Sequence, residues 1–192
     1  MKVEVRLSGS GGQGLILAGI ILAEAAILDG KKALQSQSYG PESRGGSSRA
    51  DVIISDKEIY FPRAINLDIL LCLTQEATDK FLPFLKPNGI FIYDTTNIDH
   101  VNPIEGESIG LPFTELAIKH IKNAIVTNII ALSFLCKSTG IVTMDSLSEA
   151  VKKRVREKYV PLNLKALKLG ESLAGEEYDL QTRMSSPNLE YE

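Results

Sequence analysis

The chain of 192 residues has no tryptophan, two cysteines and two histidines, and each scarcity removes a class of chemistry. Cys72 and Cys136 stand alone, each inside an apolar stretch. Two thiols so separated cannot by themselves hold an iron–sulfur cluster or a zinc ion, and His100 and His120 do not complete a ligand set. Such cysteines suit free buried thiols in a reducing compartment. Positive charge is also short. Against 24 Asp and Glu there are 21 Lys and Arg, a net charge of -3 that leaves no basic footprint for nucleic acid. No apolar run reaches the roughly 20 residues that span a bilayer, and Met1-Lys2-Val3-Glu4 leads straight into an alternating pattern rather than a secretory leader. The expected setting is the cytoplasm, with no nucleic acid and no membrane as partners.

What is present is organised around Gly9-Ser10-Gly11-Gly12-Gln13-Gly14. Before it, Val3, Val5 and Leu7 alternate with Lys2, Glu4 and Arg6, the period of a strand with one buried and one wetter face. After it, Leu15 to Leu28 is rich in Leu, Ile and Ala, carries no proline and stops at Asp29-Gly30, which reads as a helix. A tight turn from strand into helix needs positive φ and close backbone approach, both natural to glycine. It leaves free N–H groups at a helix N-terminus, suited to a phosphate or another anion. Gly9, Gly11 and Gly14 fit G-x-G-x-x-G, but a dinucleotide site also wants an acid at the end of the second strand. The next strand candidate, Lys32 to Ser38, carries Gln35, Ser36 and Gln37 there instead. Nicotinamide and flavin dinucleotides are therefore discounted, leaving an anion site or a purely structural turn.

Along the rest of the chain, Tyr39 to Arg49 holds three glycines, a proline and two arginines, the composition of a built loop. Asp51 to Ser55 and Glu58 to Phe61 read as strands of a hairpin turning through Asp56-Lys57. Leu67 to Leu73 reads as a fully buried strand, Gln75 to Leu85 as a short helix, and Ile90 to Asp94 and Glu107 to Ile109 as further strands. Helices are expected over Phe113–Lys122, Val126–Lys137, from a cap at Thr143 or Asp145 to about Tyr159, and over Leu162–Leu173. The third of these has a basic outer face, Lys152, Lys153, Arg154 and Arg156, read as a solvated surface. The helix around Asn128 is apolar nearly all round, so it lies in the core or under another subunit. Together these predict a Rossmann-like three-layer α/β domain over residues 1–174, with a mostly parallel sheet and a β-hairpin after the second strand. Residues 175–192 are acidic and aperiodic, expected as a tail that is mobile or lies on a partner.

The glycine turn, together with Gln35-Ser36-Gln37-Ser38-Tyr39-Gly40-Pro41-Glu42-Ser43-Arg44-Gly45-Gly46 and Ala50-Asp51-Val52-Ile53-Ile54-Ser55, closely resembles the gamma subunit of 2-oxoacid:ferredoxin oxidoreductases. The likeness extends through Thr74-Gln75-Glu76-Ala77, the helix around Asn128, and Asn163, Ala166 and Gly170, and ends before Gly175. The Gln35 to Gly46 stretch is most similar to the 2-oxoglutarate type, with pyruvate and indolepyruvate types as alternatives. A free-standing Rossmann-type nucleotide-binding protein is the competing class.

The resemblance implies one subunit of an enzyme that oxidatively decarboxylates a 2-oxoacid, forms the acyl-CoA and passes electrons to ferredoxin. In that family thiamine diphosphate lies between alpha and beta partners, and iron–sulfur clusters lie on beta or on a small delta-like subunit. This chain then carries no catalytic residue and no metal. Its candidate site is Gly9, Ser10, Gly11, Gly12, Gln13 and Gly14 with Tyr39 and Arg44. Either these bind a phosphate-bearing portion of coenzyme A, with the Arg44 guanidinium suited to bidentate contact, or they meet a partner subunit. Tyr39 is read more readily as a packing residue than as a stacking platform. Asn128 must find a partner if buried, and a bond to the glycine turn would tie it to the site. Gly19, inside the first helix, implies close approach to a strand.

Overall fold

A computed structural model describes residues 1–37, 47–175, 178 and 180. Six strands, β1 (Lys2–Ser10), β2 (Lys32–Gln37), β3 (Ser47–Ser55), β4 (Leu67–Cys72), β5 (Leu85–Asp94) and β6 (Glu107–Leu111), form one sheet in the order β2-β3-β1-β4-β5-β6. The ladders β1–β4, β4–β5 and β5–β6 are parallel, and β3 runs antiparallel to both β1 and β2. The expected α/β architecture is present, but the antiparallel element differs from the expected hairpin. Residues 58–61 form no strand, and Tyr60 is 91% exposed. By inserting between β1 and β2, Ser47–Ser55 gains a hydrogen-bonded ladder on each side, where a tight hairpin through Asp56-Lys57 would have given it one.

Alternation sorts the side chains onto two faces. Val5, Leu7, Val52, Ile54, Ile69, Leu71 and Ile92 meet the layer built by α1 (Leu15–Leu28), α4 (Thr127–Thr139), α5 (Met144–Arg154) and α6 (Val160–Leu173). Ile53, Leu70, Cys72 and Phe91 meet Ala77 and Phe81 of α2 (Gln75–Phe81) on the other face. The wetter face expected of β1 is covered as well, and most of its polar atoms have partners, although Arg6 Nη1 is buried without one among the described residues. Arg6 makes two parallel bonds to Asp51, at 2.7 and 2.8 Å, with its guanidinium 4.9 Å from the Phe81 ring centre. Glu4 accepts the N–H groups of Ile65 and Asn66 at 2.8 and 3.2 Å. A buried charge is tolerable only when paired and hydrogen-bonded in this way.

α1 begins and ends where its glycine and Asp29 signals put it. A Cβ on Gly19 would stand 2.8 Å from Ala50 Cβ of β3, so this glycine lets helix and sheet close together. α4 is a core helix: α6 crosses it so tightly that a Cβ on Gly170 would meet the Ile130 carbonyl, and Ser133 Oγ donates to Leu167 O at 2.6 Å. Thr143, of the two candidate caps, accepts from Ser146 N at 3.2 Å at the start of α5. That helix stops at Arg154, short of Tyr159, and Glu157–Tyr159 forms a 3-10 turn leading into α6. The helix expected over Phe113–Lys122 is one α turn, α3 (Phe113–Leu116), continuing as a π turn over Ala117–Ile121. Lys122 ends it in the left-handed region at φ 62°. Beyond the expected tail boundary, the Tyr178 ring packs edge-on against Phe134 and Leu180 N donates to Ser138 O at 2.8 Å. Among the described residues no helix is long and apolar enough to cross a membrane.

Candidate functional site

The four parallel strands deliver their C-terminal ends to one edge of the sheet, the edge at which open α/β sheets bind ligands. There β1 runs into the glycine turn, β4 into Thr74-Gln75-Glu76, β5 into Asp94 to Asn97, and β6 into Pro112 to Thr114. Antiparallel β3 starts at this same edge, with Ser47 opposite Ser10. Gln37 lies opposite Ala50 nearby. Tyr39 and Arg44, between Gln37 and Ser47 in the chain, lie outside the described residues.

The six residues of the glycine turn divide their tasks. Gly9 and Ser10 are the last residues of β1, and the Ser10 N–H is taken by Gln13 Oε1 at 2.8 Å. A Cβ on Gly9 would collide with that same Oε1 and press Leu73, so Gly9 makes room for the folded-back Gln13 side chain. Gly11 and Gly12 are exposed, with open space where a Cβ would stand and φ 89° at Gly12. Among the described residues their N–H groups have no acceptor. Gly14 is left-handed at φ 72° as the N-cap of α1, whose first turn has no side-chain cap. Of the expected donors without an acceptor among the described residues, Gly11 and Gly12 are the exposed ones.

Asn128 of α4, 4% exposed, donates Nδ2 to Gly14 O at 3.0 Å and accepts from Ile129 N at 2.9 Å. This bond ties the core helix to the glycine turn. A Cβ on Gly14 would stand 2.6 Å from Asn128 Nδ2, so the two residues fit only as a pair.

Opposite the turn lies a wall that sequence reasoning missed. An open cleft of about 360 Å³ is lined by Gly12, Gln13, Asn97, Thr114, Ala124, Ile125 and Thr127. No acidic side chain is among them, and four of the seven, Gln13, Asn97, Thr114 and Thr127, carry a hydroxyl or an amide. Behind Asn97 and Thr114 sits Asp94, fully buried, accepting from Thr96 N at 3.1 Å and Thr114 N at 3.3 Å on Oδ1. Its Oδ2 accepts from Asn97 Nδ2 at 2.9 Å and Thr114 Oγ1 at 2.5 Å.

The Thr74-Gln75-Glu76-Ala77 stretch acts as a clasp. Thr74 Oγ1 caps α2 by accepting from Ala77 N, and Gln75 Oε1 accepts the N–H groups of Asp99 and His100 at 3.1 and 3.3 Å. Glu76 accepts from Ser47 Oγ at 3.0 Å, anchoring the start of β3. Cys72, beneath this clasp, is no nucleophile: burial pushes its thiol up to about 12, against the pull of its hydrogen bond with Ser8. Among the described residues no three His, Cys, Asp or Glu side chains are grouped to hold a metal ion.

The pyruvate ferredoxin/flavodoxin oxidoreductase family model matches residues 4–173. The chain belongs to this family. It is 44% identical over 179 residues to the 2-oxoglutarate synthase subunit KorC of Methanocaldococcus jannaschii, covering 92% of this chain and 96% of the relative. To the KorC subunit of Archaeoglobus fulgidus it is 38% identical over 188 residues, covering 98% and 92%. A crystal structure of the gamma subunit of a keto/oxoacid ferredoxin oxidoreductase from Geobacter sulfurreducens matches with TM-score 0.81 and 44% identity, covering 90% of this chain and 98% of that one. The chain is thus a gamma-type subunit of a multisubunit 2-oxoacid:ferredoxin oxidoreductase, as its motifs led us to expect, and the free-standing nucleotide-binding reading is set aside.

Proposed function

We propose that the oxidoreductase served by this subunit acts on 2-oxoglutarate, and that the glycine turn holds a phosphate-bearing portion of coenzyme A at the cleft beside it. The substrate assignment rests on the similarity to two 2-oxoglutarate synthase subunits. The ligand assignment is carried by one observation: Gly12, whose N–H like that of Gly11 has no acceptor among the described residues, lines a cleft whose lining has no carboxylate. Backbone donors ahead of a helix N-terminus stabilise an anion without a large side chain filling the space. The residues therefore fit the group. Coenzyme A, when bound, supplies the thiol that accepts the acyl group. This chain's residues bind and orient: Gly11 and Gly12 hold the anion, Gln13 and Asn128 keep the turn in shape, and Arg44 adds bidentate charge. Thiamine diphosphate and the iron–sulfur clusters belong on alpha, beta and delta-type partners, with ferredoxin as acceptor, in the cytoplasm. Residues 1–174 form the unit that carries the site.

A second reading is favoured by Ile125, 66% exposed at the rim of the cleft. An apolar rim beside free N–H groups also suits the backbone of an adjoining subunit. Kinetics of the assembled complex separate the two. Gly12→Val raises the KM for coenzyme A about tenfold or more under the first reading, with assembly intact. Loss of assembly with an unchanged KM in the surviving complex refutes it and supports the second.

A further inference from the structure

The carboxylate of Asp94 is buried without a counter-ion: among the described residues no Lys, Arg or His pairs with it. A charge is costly to bury, and here four neutral donors, two on each oxygen, compensate for it. An amide in its place could accept on one oxygen only and would turn its NH2 against two of those donors. The choice of carboxylate has a consequence one bond further out. Asn97 Nδ2 is committed to Asp94 Oδ2 and to Thr114 Oγ1, at 2.9 and 3.2 Å. That fixes which way the Asn97 amide points, and its Oδ1 remains an acceptor with no partner among the described residues. Thr114, whose hydroxyl proton goes to Asp94, is held by the same carboxylate through its backbone N–H.

We propose that Asp94 is a positioning residue of the cleft: it holds Asn97 and Thr114 as the wall facing the glycine turn, so that Asn97 Oδ1 reads an uncharged N–H donor on the phosphorylated ligand. The cleft then has a donor on one side, at Gly12, with Gly11 next to it in the turn, and an acceptor on the other. It selects a molecule that carries an anionic group and, further along, an amide or amino N–H. This rests on the reading that the glycine turn binds coenzyme A, a molecule with both features.

The test uses the assembled oxidoreductase, with KM for coenzyme A and kcat measured at saturating 2-oxoglutarate. Asp94→Asn raises KM about five- to tenfold, the worth of a hydrogen bond or two, while kcat stays within about twofold. Asn97→Ala, at an exposed position, raises it by about threefold. In the double variant D94N/N97A the KM is no higher than in D94N, because Asp94 acts on the ligand through Asn97, whereas a merely structural defect would multiply with the loss of Asn97. Should D94N fail to assemble, N97A and Thr114→Val decide the matter by the same readout. An unchanged KM in D94N and N97A, with Gly12→Val still raising it, overturns the role of Asp94 and leaves the coenzyme A reading standing. An unchanged KM in G12V overturns that reading itself. A KM in D94N/N97A raised by the product of the two single effects also overturns the positioning role.

Discussion

Asn128 shows how one side chain can join a core helix to a site. Its amide faces the carbonyl of Gly14, the left-handed residue on which the turn pivots, and its own oxygen is occupied by the Ile129 N–H. Asn128→Asp keeps the shape but sets a carboxylate oxygen against the Gly14 carbonyl oxygen, with a negative charge behind the proposed anion site. We expect a loss of about 2–4 kcal/mol of stability, from a buried unpaired charge, and weaker coenzyme A binding. Asn128→Ala removes the donor to Gly14 and the acceptor for Ile129 without burying a charge, and costs about 1–2 kcal/mol. Denaturant unfolding of the two variants checks the order, and an N128D protein as stable as N128A would refute the account. The requirement for a partner at Asn128 follows from composition, since an amide in an apolar helix must bond to something. The identity of that partner, 114 residues away in the chain, does not. The Asp94 node was illegible for the same reason: Asp94 meets Thr114 through the parallel register of β5 on β6, where it stands beside Leu111.

At the scale of elements, the helix packing contains an acid-sensitive lock. Asp29, the C-cap of α1, accepts from Thr143 N and Thr143 Oγ1 at 2.7 Å and from Ser146 Oγ at 2.6 Å, so it holds the start of α5. Partial burial pushes its carboxyl upward, but the bonds from Ser146 and Thr143 outweigh this and hold it below its ordinary value of 3.8. A carboxyl whose folded pKa lies below its unfolded one contributes stability above the unfolded value. That contribution fades as pH falls through the folded value. Unfolding free energy should therefore drop below about pH 4, and Asp29→Asn should flatten that limb while lowering stability at neutral pH. An unaltered acid limb in D29N would remove Asp29 from the explanation. Elements built from local signals were readable: α1 has its glycine turn and stop, and β4 its continuous apolar run. β3 was misread because Asp56-Lys57 suggests a nearby partner, while its true partners, β1 and β2, lie earlier in the chain. The π turn at Ala117–Ile121 carries the apolar spacing of an ordinary helix and gave no signal of its own.

Over the whole molecule, the sheet gives the subunit two unlike poles. At one edge are the glycine turn, the Thr74–Glu76 clasp, Asp94 to Asn97 and the start of α4. At the other, Met1 pairs with Asp56, and the 57–66 connection leaves Tyr60, Phe61 and Ile65 exposed while Glu4 and Arg6 secure its end at Ala64 to Asn66. A ligand bound at the first pole touches segments far apart in sequence yet adjacent across the edge. Hydrogen exchange on the assembled complex should therefore show coenzyme A slowing exchange at residues 11–14, 95–97, 113–115 and 124–128 together. Residues 57–66 should exchange as before, because the full depth of the sheet lies between them and the cleft. Protection limited to the glycine turn would mean that the Asp94 wall does not meet the ligand. Protection at 57–66 alone would place coenzyme A at the wrong pole for the architecture described.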